Sequence, residues 1–215
     1  MSIRVRYEKE LKDVFDNLIL MCRYIEVAIE KSIRALTDLD AELAREVCEG
    51  DELIDKMERD IEQSCLKILV MEHPLASDFR EVSAALKMIT DLERIGDQAR
   101  DIAEISTQLT DVSKLVNIPR MAAIVTQMVK DGVQAYINRD LTLARSLEKT
   151  DDKVDELFDI IMADLTSLIK RDSDSTERAV LLMMITKYLE RIGDHAINIG
   201  EWVEYAITGS HPKKW

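Results

Sequence analysis

The sequence predicts an all-α protein built as two tandem, pseudo-symmetric three-helix bundles, with six long antiparallel helices. Three observations predict it. The hexapeptide Leu92-Glu93-Arg94-Ile95-Gly96-Asp97 returns as Leu189-Glu190-Arg191-Ile192-Gly193-Asp194, with Ala99 and Ile102 after one copy and Ala196 and Ile199 after the other. Apolar residues recur at alternating spacings of three and four, the seam of a packed helix. Gly and Pro number only 6 and 3 in 215 residues, so little interrupts such helices.

The first helix is expected over about 5–37, with Leu11, Val14, Leu18, Met21, Ile25, Ala28, Ser32 and Ala35 on its seam. Thr37 to Asp40 supplies a turn and an N-cap. The second helix, about 41–70, turns Val47, Ile54, Met57, Ile61 and Ile68 inward, and His73-Pro74 stops it or turns it. The third, about 78–109, is expected to be capped by Ser77 or Asp78; its seam is Ala85, Met88, Leu92, Ile95, Ala99 and Ile102. Val112 to Pro119 connects the halves, with Pro119 in the first turn of a fourth helix that runs to about Asn138. Asp140 caps the fifth helix, about 141–170, and Arg171 to Ser175 is a turn. The sixth helix, about 176–208, carries Leu182, Ile185, Leu189, Ile192, Ala196, Ile199 and Val203 and ends at Gly209; a loose tail to Trp215 is expected.

The repeat extends beyond the hexapeptide. Asp40, Leu43, Ala44, Arg45, Asp51 and Asp55 have counterparts at Asp140, Leu143, Ala144, Arg145, Asp151 and Asp155, an offset of 100 that falls to 97 at the hexapeptide. The units are therefore divided at 1–111 and 112–215. Helices of roughly 30 residues make rods of about 45 Å.

A net charge of −13 argues against duplex nucleic acid and anionic lipid as partners. Cys22, Cys48 and Cys65 show no paired or metal-type spacing and read as reduced core thiols. With no signal-peptide pattern at the N-terminus and no apolar run near the roughly 20 residues that span a bilayer, a soluble cytoplasmic protein is expected.

Each unit carries two acidic pairs at four-residue spacing on adjacent helices: Asp51/Asp55 with Glu93/Asp97, then Asp101 a turn further; and Asp151/Asp155 with Glu190/Asp194, then Asn198. Residues four apart share a helix face. Four carboxylates that converge suit hard or borderline cations; without one they repel, and some take up protons. A solvated acidic face is the plain alternative for any single pair; the matched recurrence favours metal. The register puts the acids beside the seam, so a surface site is expected. Gly96 and Gly193 either allow close helix packing or open space beside the acids. Arg94 and Arg191 read as solvated, and His195, replaced by Gln98 in the first unit, as a polar surface residue. There is no Gly-rich phosphate loop, Gly-x-Ser-x-Gly, His-Glu-x-x-His or Glu-x-x-His.

With the duplicated hexapeptide, the acidic pairs, Pro74-Leu75-Ala76-Ser77-Asp78-Phe79-Arg80 and Gly193-Asp194-His195-Ala196-Ile197-Asn198-Ile199, the chain resembles the PhoU family of phosphate-uptake regulators over nearly its whole length. The resemblance implies a non-enzymatic cytoplasmic adaptor, expected as a homodimer. It would restrain the high-affinity phosphate ABC transporter through its ATPase subunit and an associated PAS-containing sensor histidine kinase, with no nucleic acid and no membrane insertion. It also implies metal, possibly multinuclear, as iron, manganese, magnesium or zinc. Site one would be Asp51, Asp55, Glu93, Asp97 and Asp101; site two, Asp151, Asp155, Glu190 and Asp194, with Asn198 in place of an acid. A metal-dependent phosphohydrolase, an accessory protein of a low-affinity phosphate carrier and a metal-free scaffold are the alternatives. Asp78 and Arg80, at the end of the first bundle, are expected to contribute to a partner surface.

Overall fold

A computed structural model describes residues 3–72, 74–112 and 117–210. Six helices lie within them: α1 (Ile3–Asp38), α2 (Ala41–Met71), α3 (Ala76–Ser106), α4 (Asn117–Asn138), α5 (Leu141–Arg171) and α6 (Thr176–Thr208), with a 3₁₀ turn at Ser173–Ser175 between the last two. No strand occurs among the described residues. His73, the middle of the inter-unit connection at 113–116 and the tail from 211 to Trp215 lie outside the described residues.

Local chemistry accounts for the helix ends. Asp40 and Asp140 precede α2 and α5 with the same backbone angles, φ −93° and ψ 94°, and accept hydrogen bonds from Leu43 N–H and Leu143 N–H. Just before each cap, Leu39 and Arg139 take φ of 55° and 53°, the left-handed conformation that reverses the chain in so short a turn. Gly209 closes α6 at φ 78°, which a residue without Cβ adopts freely. The expected cap of α3 differs. The helix starts at Ala76 after Leu75, with no side-chain cap, because Asp78 is drawn away to accept a hydrogen bond from Arg4 Nη1 at 2.7 Å.

α1, α2 and α3 pack as one bundle and α4, α5 and α6 as the other, yet the most extensive helix pair is α3 with α6. Those two central helices are buried on more than one side: α3 buries Ala85, Met88, Leu92, Ile95, Ala99 and Ile102 on its seam and also Val82, Ala84 and Ile89 beside it. One continuous apolar core therefore runs through both bundles. Cys22 and Cys65 are buried in it as free thiols, and burial pushes both up to about 12. Among the described residues, no helix is long and apolar enough to cross a membrane.

Candidate functional site

The two hexapeptides lie in the middle of α3 and α6, and each faces its unit's acidic pair across a glycine. A Cβ on Gly96 would stand 3.1 Å from Ile54 Cδ1 and 3.5 Å from Asp51 Oδ1; one on Gly193 would stand 2.9 Å from Asp151 Oδ1. The close-packing reading of the glycines therefore holds: the missing side chain lets neighbouring helices close up, with Ile54 nearest across the gap at Gly96 and Asp51 just beyond it, and with Asp151 itself nearest at Gly193.

In unit one the structure gathers the expected residues but places them unequally. Asp51 is buried at 7% exposure rather than lying on the surface, because α2 approaches α3 closely over Gly96. Glu93, Asp97 and Asp101 are half-buried, and Asp55 lies nearer to solvent. Three arginines hold them. Arg100 reaches Asp51 Oδ2 at 2.6 Å, Asp97 Oδ1 at 2.7 Å and Asp101 Oδ1 at 3.1 Å. Arg94 reaches Asp97 Oδ2 at 3.1 Å and Glu93 at 3.4 Å, and Arg59 comes within 3.8 Å of Asp55. Burial raises the Asp51 carboxyl above its usual range, and Arg100 opposes the rise. Burial, then Asp97, raises Glu93.

Unit two has the same acids and fewer cations. Lys187 Nζ lies 2.5 Å from Glu190 Oε2, and Arg191 is exposed. Asp151 is half-buried, and burial with Asp155, Asp194 and Glu190 nearby pushes its carboxyl up to about 6. Asp155 and Asp194 are exposed. Asn198 turns away from the cluster: with His195 it binds Asp91 on α3, at 3.2 Å from Asn198 Nδ2 and 2.9 Å from His195 Nδ1. His195 is thus a clasp between the units rather than a free surface residue. Asp91 and Arg100 carry no periodic signature, and sequence reasoning passed over both; Arg100 lay one turn from Asp97 and was the readable clue.

As the side chains stand, no three His, Cys, Asp or Glu among the described residues form a group arranged to hold a metal ion. The donor sets are nevertheless unlike. Unit one's acids already bind guanidinium groups, and a cation there does not fit without displacing one. Unit two's four carboxylates are all hard oxygen donors short of positive charge, and that chemistry suits magnesium or manganese. A groove of about 380 Å³ between α1 and α4, floored by Ile29, Ile33 and Ala122, includes no residue of either cluster.

A duplicated three-helix bundle with an acid pair facing a glycine in each half defines the class. Comparison with known proteins places it: the model of the PhoU domain matches residues 18–106 and again 118–203, and the chain belongs to the PhoU family. It is 37% identical over 186 residues to a phosphate-specific transport system accessory protein PhoU homolog of Aquifex aeolicus, covering 85% of this chain and 84% of that one. With the homolog of the same description from Pseudomonas aeruginosa it shares 34% over 212 residues, covering 97% and 88%. The crystal structure of PhoU from Pseudomonas aeruginosa superposes with a TM-score of 0.90 at 34% identity, over 95% of this chain and 100% of that one. The fold is also that of the phosphate transport system regulatory protein PhoU from Streptococcus pneumoniae, with TM-score 0.90 at 24% identity over 97% of this chain and 100% of that one.

Proposed function

We propose that this chain is a cytoplasmic accessory protein of phosphate uptake that works by binding other proteins. It restrains a high-affinity phosphate ABC transporter through the ATPase subunit, and an associated PAS-containing sensor histidine kinase, without catalysing a reaction itself. The names carried by its relatives support the phosphate role.

An asymmetry between the units supports the adaptor role. Where α2 gives way to α3, Val70, Met71, Leu75 and Phe79 are 68, 56, 74 and 50% exposed. Their counterparts in unit two, by the offsets of 100 and then 97, are Lys170, Arg171, Asp172 and Thr176. The same turn is built there from polar residues, so folding does not require the apolar ones. Covering exposed apolar area is favourable by about 25 cal/mol per Å², and clustered patches of this kind mark interaction sites. Asp78 and Arg80, expected to form the surface, are engaged internally. Asp78 binds Arg4, and Arg80 packs beside Gly209 with Nε buried. The contact surface is therefore assigned to the four apolar neighbours.

The test gives the tip its unit-two identities, Val70→Lys, Met71→Arg, Leu75→Asp and Phe79→Thr, with helicity checked by circular dichroism. Co-purification with the ATPase subunit from the same genome should be lost. If the variant binds as wild type does, the tip is not the contact.

A second proposal concerns metal. Asp151, Asp155, Glu190 and Asp194 would hold a divalent ion such as manganese or magnesium, which would join α5 to α6. Ligands that bind only the folded state stabilise it, so manganese should raise the melting temperature of wild type and not that of Asp194→Asn. A wild-type melt that manganese leaves unchanged refutes the metal proposal.

A further inference from the structure

The two acid clusters differ at one position that the repeat makes directly comparable. Arg100 stands three residues beyond Asp97; ninety-seven residues later its counterpart is Ile197. Asp51 comes from α2, and Asp97 and Asp101 come from α3. Arg100 forms ion pairs with all three, at 2.6, 2.7 and 3.1 Å, so one positive group joins the two helices through several carboxylate oxygens. That is the role a multiply coordinated cation would play. A guanidinium suits it: planar, permanently charged and presenting a fork of donors. In unit two the branched alkyl group of Ile197 neither donates nor neutralises, and among the described residues near that cluster only Lys187 makes a close ion pair, with Glu190.

We infer that Arg100 takes the place of a cation in unit one, so that this cluster is closed as an internal ion-pair network and metal uptake is confined to Asp151, Asp155, Glu190 and Asp194. The inference rests on the metal proposal above for unit two and stands separately for unit one. A divalent ion entering between Asp51 and Asp97 would meet Arg100 at hydrogen-bonding distance from both. Either the guanidinium leaves, giving up two charge-assisted hydrogen bonds and a third ion pair, or two cations share one pair of carboxylates. Unit two asks for neither. The departure of Asn198 from the acid at Asp101 has the same origin: Asp101 is a partner of Arg100, and a unit without the arginine does not need that acid.

Manganese content after dialysis, with thermal melts in parallel, tests this on the full chain. In wild type, Asp97→Asn should leave bound manganese unchanged, whereas Asp194→Asn should abolish it. Arg100→Ile, which gives unit one the residue of unit two, should roughly double the manganese retained as a second oxygen-lined cluster opens. The added manganese should disappear again in Arg100→Ile with Asp97→Asn. Circular dichroism establishes that each variant is folded; should Arg100→Ile fail to fold, Arg100→Gln, neutral but still polar, gives the same readout. Loss of wild-type manganese on Asp97→Asn overturns the inference. So does a folded Arg100→Ile or Arg100→Gln that gains none. A wild type that retains no manganese refutes the unit-two proposal instead, and the gain in the Arg100 variants still decides the role of Arg100.

Discussion

Replacing Asp151 by Asn removes one charge from the unit-two cluster and should stabilise the metal-free protein near neutral pH. The folded-state value of about 6 stands against an ordinary 3.8. At about 1.36 kcal/mol per pH unit, that gap sets a ceiling of about 3 kcal/mol. The carboxylate keeps contact with water, which screens its neighbours, so the effect should be about 1–2 kcal/mol. The sign follows from linkage. Below about pH 4 both folded and unfolded chains hold the proton; between about 4 and 6 only the folded chain does, and the stability this confers is lost as pH rises through the folded value. Above about pH 6 the native fold carries an ionised, crowded carboxylate that Asn lacks. Melts of wild type and Asp151→Asn, followed by circular dichroism with chelator present, should differ by about 2–8 °C at neutral pH in favour of the variant. The difference should shrink steadily as the pH falls towards about 4. A variant that melts lower than wild type near neutral pH, or a difference that ignores pH, refutes the reasoning.

Two further predictions concern packing. Gly50→Ala, in the middle of α2 where an added Cβ meets nothing within 4 Å, should stabilise the protein; the gain should be about 0.5–1 kcal/mol in urea unfolding. Gly200→Ala, whose Cβ would stand 2.9 Å from Leu147 Cδ1 and 3.1 Å from the Ala144 carbonyl oxygen, should destabilise it; the loss should be about 1–3 kcal/mol, since backbone cannot step aside as a side chain can. Tyr136→Phe removes the buried 2.6 Å hydrogen bond from the Tyr136 hydroxyl to the Glu81 carbonyl oxygen, which ties α4 to α3. It should lower stability by about 1–2 kcal/mol and the melting temperature by about 2–8 °C; an unchanged melt would show that the bond contributes nothing.

The helices and their pairing into two units were legible because a period of 3.6 residues and an internal repeat are properties of the chain itself. Each seam position from Ala85 to Ile102 and from Leu182 to Val203 is buried. The caps at Asp40, Asp140 and Gly209 were legible for the same reason, since each acts on backbone within a few residues. The cap expected at Ser77 or Asp78 was not, because its outcome depended on Arg4, seventy-four residues away in sequence.

Tertiary structure alone decided what the acids meet. The residues of each cluster could be named from spacing, but their depth and their counter-ions come from neighbouring helices. Asp51 is buried because α2 closes on Gly96, and Arg100 spans α3 and α2 to hold it. His195, Asn198 and Asp91 meet only because α6 packs along α3. Periodicity fixes which face of a helix is apolar, since that depends on residues three and four apart. It cannot fix which charged side chain bridges to which, since Coulomb energy depends on distance and shielding set by the packing of helices far apart in the chain. The sequence thus determined the duplicated bundle and the paired carboxylates; packing made the two clusters unequal.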